Sequence, residues 1–359
     1  MKTVKIILAL SSLLLFSCSS DGEKNNNTDP IGTIYSAGYK TNSSNIKVAV
    51  YWRDNTINIL TDGTKDAIAT GITKGEDNFY ICGYEDNSAT TQVVKFWRNG
   101  VVTNITDGTK SAYASSIFVS GSDVYIAGHE KNATGLTVAK YWKNGNPVNL
   151  TDGTNNASIN SIFISGSDVY TCGYEYNSAG FSVAKYWKND MANLLGIQTE
   201  DSSANSIAIE GANVHISGSA GGYNASSTFG FSTLYWKNSL LTILNTNQTA
   251  VAILSTSNFG HSIFLDGTDV YVSGGISDDL KPIYYKNGVQ NTLIYTGDEQ
   301  LEWITSLFIL NNKVYAGGYG DSYGNGYFRP IIWSLDTFSY PIPFSVNELG
   351  KIYSIYVVN

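Results

Sequence analysis

Positive charge is scarce in this chain: 22 lysines and arginines stand against 30 aspartates and glutamates, a formal net charge of −8 at pH 7. No basic block interrupts that excess, so the field around the protein repels phosphate backbones and excludes nucleic acid as a partner. Histidine and cysteine are scarce too, three of each. His129, His215 and His261 fall at unrelated points of the sequence, which supplies no zinc or copper ligand set. A glycine-rich phosphate loop is missing, as is the Gly-x-Ser-x-Gly elbow of many serine hydrolases. No cofactor and no metal is implied. Helical periodicity is also missing, which excludes helical and α/β architectures.

What the chain does have is repetition. Gly38, Gly83, Gly128, Gly173 and Gly218 are 45 residues apart, and Gly274 and Gly317 continue the series. Trp52, Trp97, Trp142, Trp187, Trp236 and Trp333 recur at matching points, with Tyr285 in the remaining slot. A fixed period of this size marks an array of one supersecondary unit.

One copy shows what the unit is. Residues 116–120 (SIFVS) and 124–128 (VYIAG) are short β-prone runs joined by Gly121-Ser122-Asp123, a hairpin signal. A polar stretch leads to residues 137–143 (TVAKYWK), then to Asn144-Gly145, the dipeptide suited to a type I′ turn, and residues 147–151 close a four-stranded antiparallel meander. Adjacent aromatics such as Tyr141-Trp142 point to opposite faces of a strand, so both faces of each sheet must be covered. Sheets stacked radially about an axis meet that demand, and seven copies predict an all-β, seven-bladed β-propeller of four-stranded blades.

The repeat is circularly offset. Residues 34–38 match a second strand, whereas residues 353–358 match a first strand. One blade is therefore expected to combine the C-terminal strand with the first three N-terminal strands, closing the ring and removing exposed sheet edges. Cys82 and Cys172 occupy a small-residue column two repeats apart, too far for a disulfide, and are read as packing residues. A serine precedes the inner-strand apolar run in six copies, for a reason the sequence does not supply.

Upstream of the repeats, residues 1–17 have the pattern of a signal peptide: Lys2 and Lys5, then an apolar run over 6–16. Leu15-Phe16-Ser17-Cys18-Ser19 resembles a bacterial lipoprotein processing site. That resemblance implies lipidation of Cys18, a flexible tether over 18–30, a propeller over 31–359, and attachment to the outer membrane, with exposure on the cell surface suggested by Asp21 and Glu23. Val270-Tyr271-Val272-Ser273-Gly274-Gly275 and Val314-Tyr315-Ala316-Gly317-Gly318 resemble the kelch strand that ends in paired glycines. The Tyr-Trp-Lys-Asn-Gly and Leu-Thr-Asp-Gly-Thr elements are similar to propeller lipoproteins of Bacteroidetes, a likeness that implies fold and anchoring but no activity.

Function is sought on the face that carries the second-to-third loops and the blade connections, since loops on a rigid scaffold concentrate binding residues. Three columns repeat there: Asn42, Asn87, Asn132 and Asn177; Glu85, Glu130 and Glu175; Asp62, Asp107 and Asp152. Turn chemistry accounts for such residues, with repeated binding of a polymer as the alternative. Departures from the repeat point to ligand contacts: Trp303 stands outside the tryptophan column, Tyr113 and Phe259 hold corresponding offsets, and Glu302 and His261 adjoin them. Aromatic rings flanked by carboxylates and amides suit a sugar; the same rings could instead plug the channel or pack between blades. The chain therefore reads as a monomeric, surface-anchored protein that binds an extracellular glycan or protein ligand. A protein-assembly scaffold and a carbohydrate-active hydrolase or lyase are the alternatives.

Overall fold

The computed structural model describes residues 32–88, 91–196, 198–223, 229–249, 262–276, 282–293, 301–321, 327–334, 340–341 and 349–358. The segment assigned to the signal peptide and tether lies outside them. Gly32–Asn359 is one compact unit of seven four-stranded antiparallel sheets, with no helix among the described residues. The innermost strands, from blade 1 to blade 7, are Gly350–Val358, Ala67–Lys74, Ala112–Ser120, Ala157–Ser165, Asp201–Glu210, Ile263–Asp266 and Leu301–Leu310. Each packs against the inner strands of its neighbours around a common axis. Closure runs as expected: Gly350–Val358 pairs antiparallel with Thr33–Thr41, from Thr33 opposite Val358 to Lys40 opposite Gly350, and Lys47–Arg53 and Thr56–Ile59 complete blade 1.

Packing follows from the Tyr-Trp pairs. Trp142 of blade 3 is buried with Tyr80, Cys82 and Val94 of blade 2, while Tyr141 is buried with Ala157, Ile159 and Trp187 of blade 4. Consecutive residues thus stitch a blade to both neighbours. Trp52, Trp97, Trp187, Trp236, Trp333 and Tyr285 are among the largest fully buried side chains. Each fully buried side chain of this kind is worth on the order of 2–3 kcal/mol of transfer free energy. Cys82 and Cys172 are free and buried, and burial pushes the Cys82 thiol up to about 12 and that of Cys172 higher still, which suits packing and not redox chemistry.

Six of the seven inner strands begin earlier than the sequence pattern predicts, at Ala112 where 116 was expected in blade 3, because each of these carries a β-bulge. Register slips between Ala69 and Gly71, Ala114 and Ser116, Ile159 and Ser161, Ala204 and Ser206, and Ile304 and Ser306, leaving Thr70, Ser115, Asn160, Asn205 and Thr305 as the extra residues. In blade 1 the extra residue is Tyr353. A bulge bends the strand and frees one residue from the ladder. The freed side chains bond the next blade: Thr70 Oγ1 donates to Ala114 O at 2.8 Å, Ser115 Oγ to Ile159 O at 2.6 Å, Asn160 Nδ2 to Ala204 O at 2.9 Å and Thr305 Oγ1 to Ile352 O at 2.9 Å.

In five blades the serine that opens the apolar run of the inner strand has a matching role. Ser116, Ser161, Ser262, Ser306 and Ser354 accept, through Oγ, the backbone N–H of Ile162, Ile207, Leu307, Ile355 and Ile72 in the next blade, at 3.2–3.4 Å. Amides at the axis have no strand on their inner side, and the serines satisfy them. The repeating glycine lies directly across the bulge. A Cβ on Gly128 would sit 1.9 Å from Tyr113 O, and one on Gly83 would sit 2.0 Å from Ile68 O. In blade 7 that position is held by Gly318, opposite Ile304, and not by Gly317. Gly317 pairs with Ser306 in the column of Cys82 and Cys172, so the sequence register in this blade is one residue out.

Candidate functional site

The repeated polar columns are explained by local geometry. Asn132 donates from Nδ2 to Gly153 O at 2.9 Å and accepts Thr134 N and Leu136 N at Oδ1, each at 3.0 Å, which folds the second-to-third loop onto the blade connection. Asn42 does the same with Gly63 O, Ser44 N and Ile46 N. Asp62, Asp107 and Asp152 accept the backbone N–H and the hydroxyl of Thr64, Thr109 and Thr154, bonds that hold their carboxyl groups below the usual carboxylate range. Glu85, Glu130 and Glu175 pair with Lys95, Lys140 and Lys185. On the opposite face, Asn144 (φ 50°) and Gly145 (φ 82°) form the turn their dipeptide predicts, and Asn144 Oδ1 accepts Val124 N at 2.9 Å.

Trp303 and Tyr113 both lie three residues before the axial serine of their inner strands, at the loop-face end of the channel. Tyr113 stacks on His129 with ring centres 5.5 Å apart and meets Tyr84 at 5.0 Å. Burial pushes its phenol up to about 12 and, with some help from Lys131, brings His129 down to about 4, so both are neutral at pH 7. His129 Nδ1 lies 2.9 Å from Ser158 Oγ. Trp303 stacks on Tyr319 at 5.2 Å and meets the edge of Phe328 at 6.3 Å. Tyr353 lines the channel and contacts Tyr39 at 6.3 Å. Burial and the neighbouring Tyr39, Tyr113, Tyr84 and Tyr319 push its phenol far above the usual range, which marks the mouth as a cluster of neutral hydroxyls. Of the remaining sequence candidates, Glu302 pairs with Gly320 through its backbone, while its side chain and all of Phe259 and His261 lie outside the described residues.

Two cavities are formed by described residues of this scaffold. The channel holds about 170 Å³ walled by the bulge residues and axial serines. Ligand pockets run to roughly 300–1,000 Å³, so this one suits a few waters. The second, about 390 Å³, lies on the loop side of blade 4 and is lined by Asn155, Glu175, Tyr176, Asn177, Lys185 and Gln198 together with Val183, Ala192 and Leu194. Tyr176 is 38% exposed there. Sequence reasoning missed this groove, although two signals mark it. Tyr176 replaces the Thr41, Asp86 and Lys131 of earlier copies, and Gln198 stands where they carry Gly63, Gly108 and Gly153. Among the described residues no group of three or more His, Cys, Asp or Glu side chains could hold a metal ion.

No protein-family model matches the chain, and no curated protein does. Among solved structures it is similar to a puromycin-hydrolysing peptidase of Mycobacterium tuberculosis, at 10% identity and a TM-score of 0.56, over 87% of this chain and 53% of that one. The chain thus spans about half the length of that peptidase. It is also similar to the α-L-arabinanase of Penicillium chrysogenum solved with arabinobiose, at 8% identity and a TM-score of 0.47, over 74% and 92% of the two chains. The propeller domain of a Pyrococcus furiosus protease aligns at 9% identity and a TM-score of 0.43, over 78% and 86%. At 10% identity the likeness to the peptidase speaks for a shared fold alone.

Proposed function

We propose that the protein is a binding protein outside the cytoplasm, anchored to the outer membrane through a lipid on Cys18 and displayed on the cell surface, that holds a glycan on its loop face. The observation that carries this reading is the blade 4 groove: its volume suits a short oligosaccharide, Tyr176 offers an exposed ring, and Asn155 and Gln198 flank it with amides. Sugars bind such surfaces by stacking a C–H face on the ring while hydroxyls bond polar groups. Binding is favoured over hydrolysis because Glu175 is the one carboxylate among the described residues of the groove, and it is already paired with Lys185. Glycoside hydrolysis ordinarily uses two carboxyl groups about 5–10 Å apart.

Purified full-length protein in detergent, screened against a polysaccharide panel, is expected to bind saturably without releasing new reducing ends. Tyr176→Ala should weaken that binding about tenfold or more, near 1.4 kcal/mol, with an unchanged melting temperature. Release of reducing ends would replace the reading with a hydrolase. Failure to bind any glycan, with capture of a specific protein, would replace it with an assembly module. The anchor has its own test: Cys18→Ser should move the protein from the membrane fraction to the soluble fraction, and a variant that stays with the membrane would refute lipidation.

A further inference from the structure

Where blades 7 and 1 meet, the inner-strand column that holds Tyr113 in blade 3 and Trp303 in blade 7 is filled by Lys351. Its ammonium group lies 4.0 Å from the ring centre of Tyr319 and 3.6 Å from that of Phe328, and Trp303 stacks on Tyr319 beside them. Among the described residues it makes no ion pair; Lys47 repels it, and Asp321 attracts it less strongly. Lys47 itself stands over the Tyr39 ring at 5.7 Å, and Tyr39 lies opposite Lys351 in the sheet. Burial foremost, with the repulsion from Lys47, brings the Lys351 amine down to about 8.

Taking an ammonium group largely out of water costs several kcal/mol, and contacts with ring faces return roughly 0.5–2 kcal/mol. Two ammonium groups near one another in a protein of net charge −8 are the reverse of what the overall composition favours. An incoming anion would offset both the desolvation and the mutual repulsion. The aromatic walls restrict what that anion can belong to, because they offer stacking surface that a bare inorganic ion cannot use. An acidic sugar fits these features: its charged group meets Lys351 and Lys47, and its C–H face lies on the ring of Trp303, which is half-buried where Tyr319 is buried beneath it.

We propose that the corner formed by Lys351, Lys47, Trp303, Tyr319 and Phe328 binds an acidic sugar, a pyranose ring that carries a carboxylate or sulfate group. The site is separate from the blade 4 groove and stands whether or not that groove binds a neutral glycan.

Calorimetric titration of the full-length protein in detergent with an oligogalacturonate, a sulfated galactan oligomer and a neutral galactan oligomer tests the proposal. At low salt at least one acidic oligomer should bind tenfold or more tighter than the neutral one, and the two acidic arms identify whether carboxylate or sulfate is preferred. Added sodium chloride should narrow the gap by screening. Lys351→Met, which keeps the length of the stem and removes the charge, should abolish the preference, whereas Lys351→Arg should retain most of it. The Met variant should melt no lower than the wild type, since it removes a desolvated charge that has no ion-pair partner among the described residues, and lost binding is then not lost folding. The proposal is overturned if no acidic oligomer binds tighter than the neutral one, or if Lys351→Met keeps the preference.

Discussion

Deleting residues 351–359 is expected to abolish the cooperative unfolding transition of the whole ring, or to lower its melting temperature by at least about 10 °C. The strand removed is the innermost of blade 1, and it carries Ile352, Ile355 and Val357, all buried. Their transfer free energy alone comes to about 5–9 kcal/mol, comparable with the roughly 5–15 kcal/mol that hold a typical domain folded. The loss reaches past one blade. Thr33–Thr41 is left as an open edge, Ile72 N loses the Ser354 hydroxyl, and Thr305 Oγ1 loses the Ile352 carbonyl, so the contacts to blades 2 and 7 fail together. Thermal unfolding followed by near-ultraviolet circular dichroism checks it. A truncated protein that melts like the parent would show that the ring does not depend on this closure.

The second large effect is expected from a single methyl group. Gly128→Ala should destabilise the protein by more than about 3 kcal/mol, because the new Cβ would stand 1.9 Å from Tyr113 O, a backbone atom that cannot rotate away. To relieve the clash the bulge at Ser115 must open, which breaks its bond to Ile159 O and shifts Tyr113 against His129. Gly145→Ala serves as the comparison. It adds a methyl group in open space at φ 82°, where the cost is the left-handed backbone alone, about 1–2 kcal/mol. Urea unfolding of the two variants should therefore give clearly different midpoints, and equal losses would mean that the tight approach across the bulge does not matter.

Much of this architecture could be read from particular residues. The Tyr-Trp pairs required covered faces on both sides of each sheet, and Tyr141 and Trp142 do pack on opposite neighbours. The offset between the chain ends predicted the pairing of Thr33–Thr41 with Gly350–Val358. The bulges escaped notice because an extra residue in one strand leaves the alternation on either side intact. The same blindness put Gly317 in place of Gly318, since two adjacent glycines look alike until the carbonyl of Trp303 is seen pressing on the second. The axial serines also needed coordinates, because their partners lie about one whole repeat away in the chain.

Sites were the least legible. Trp303 and Tyr113 stood out as departures from the repeat, yet nothing in the sequence tells that Lys351, an ordinary lysine near the C-terminus, rests on the rings of Tyr319 and Phe328. Tyr176 and Gln198 departed from the repeat just as visibly and passed unremarked, because a groove is a space between side chains and not a property of any one of them.

The sequence by itself determined the repeating unit, the number of blades and the way the ring closes, because periodicity and the alternation of buried side chains are local rules written along the chain. Only the tertiary structure decided which polar residues are consumed by turns and which remain on the loop face, where a cavity forms, and which cation rests on aromatic rings. Those properties arise from distances between blades, and such distances exist only after the ring has closed.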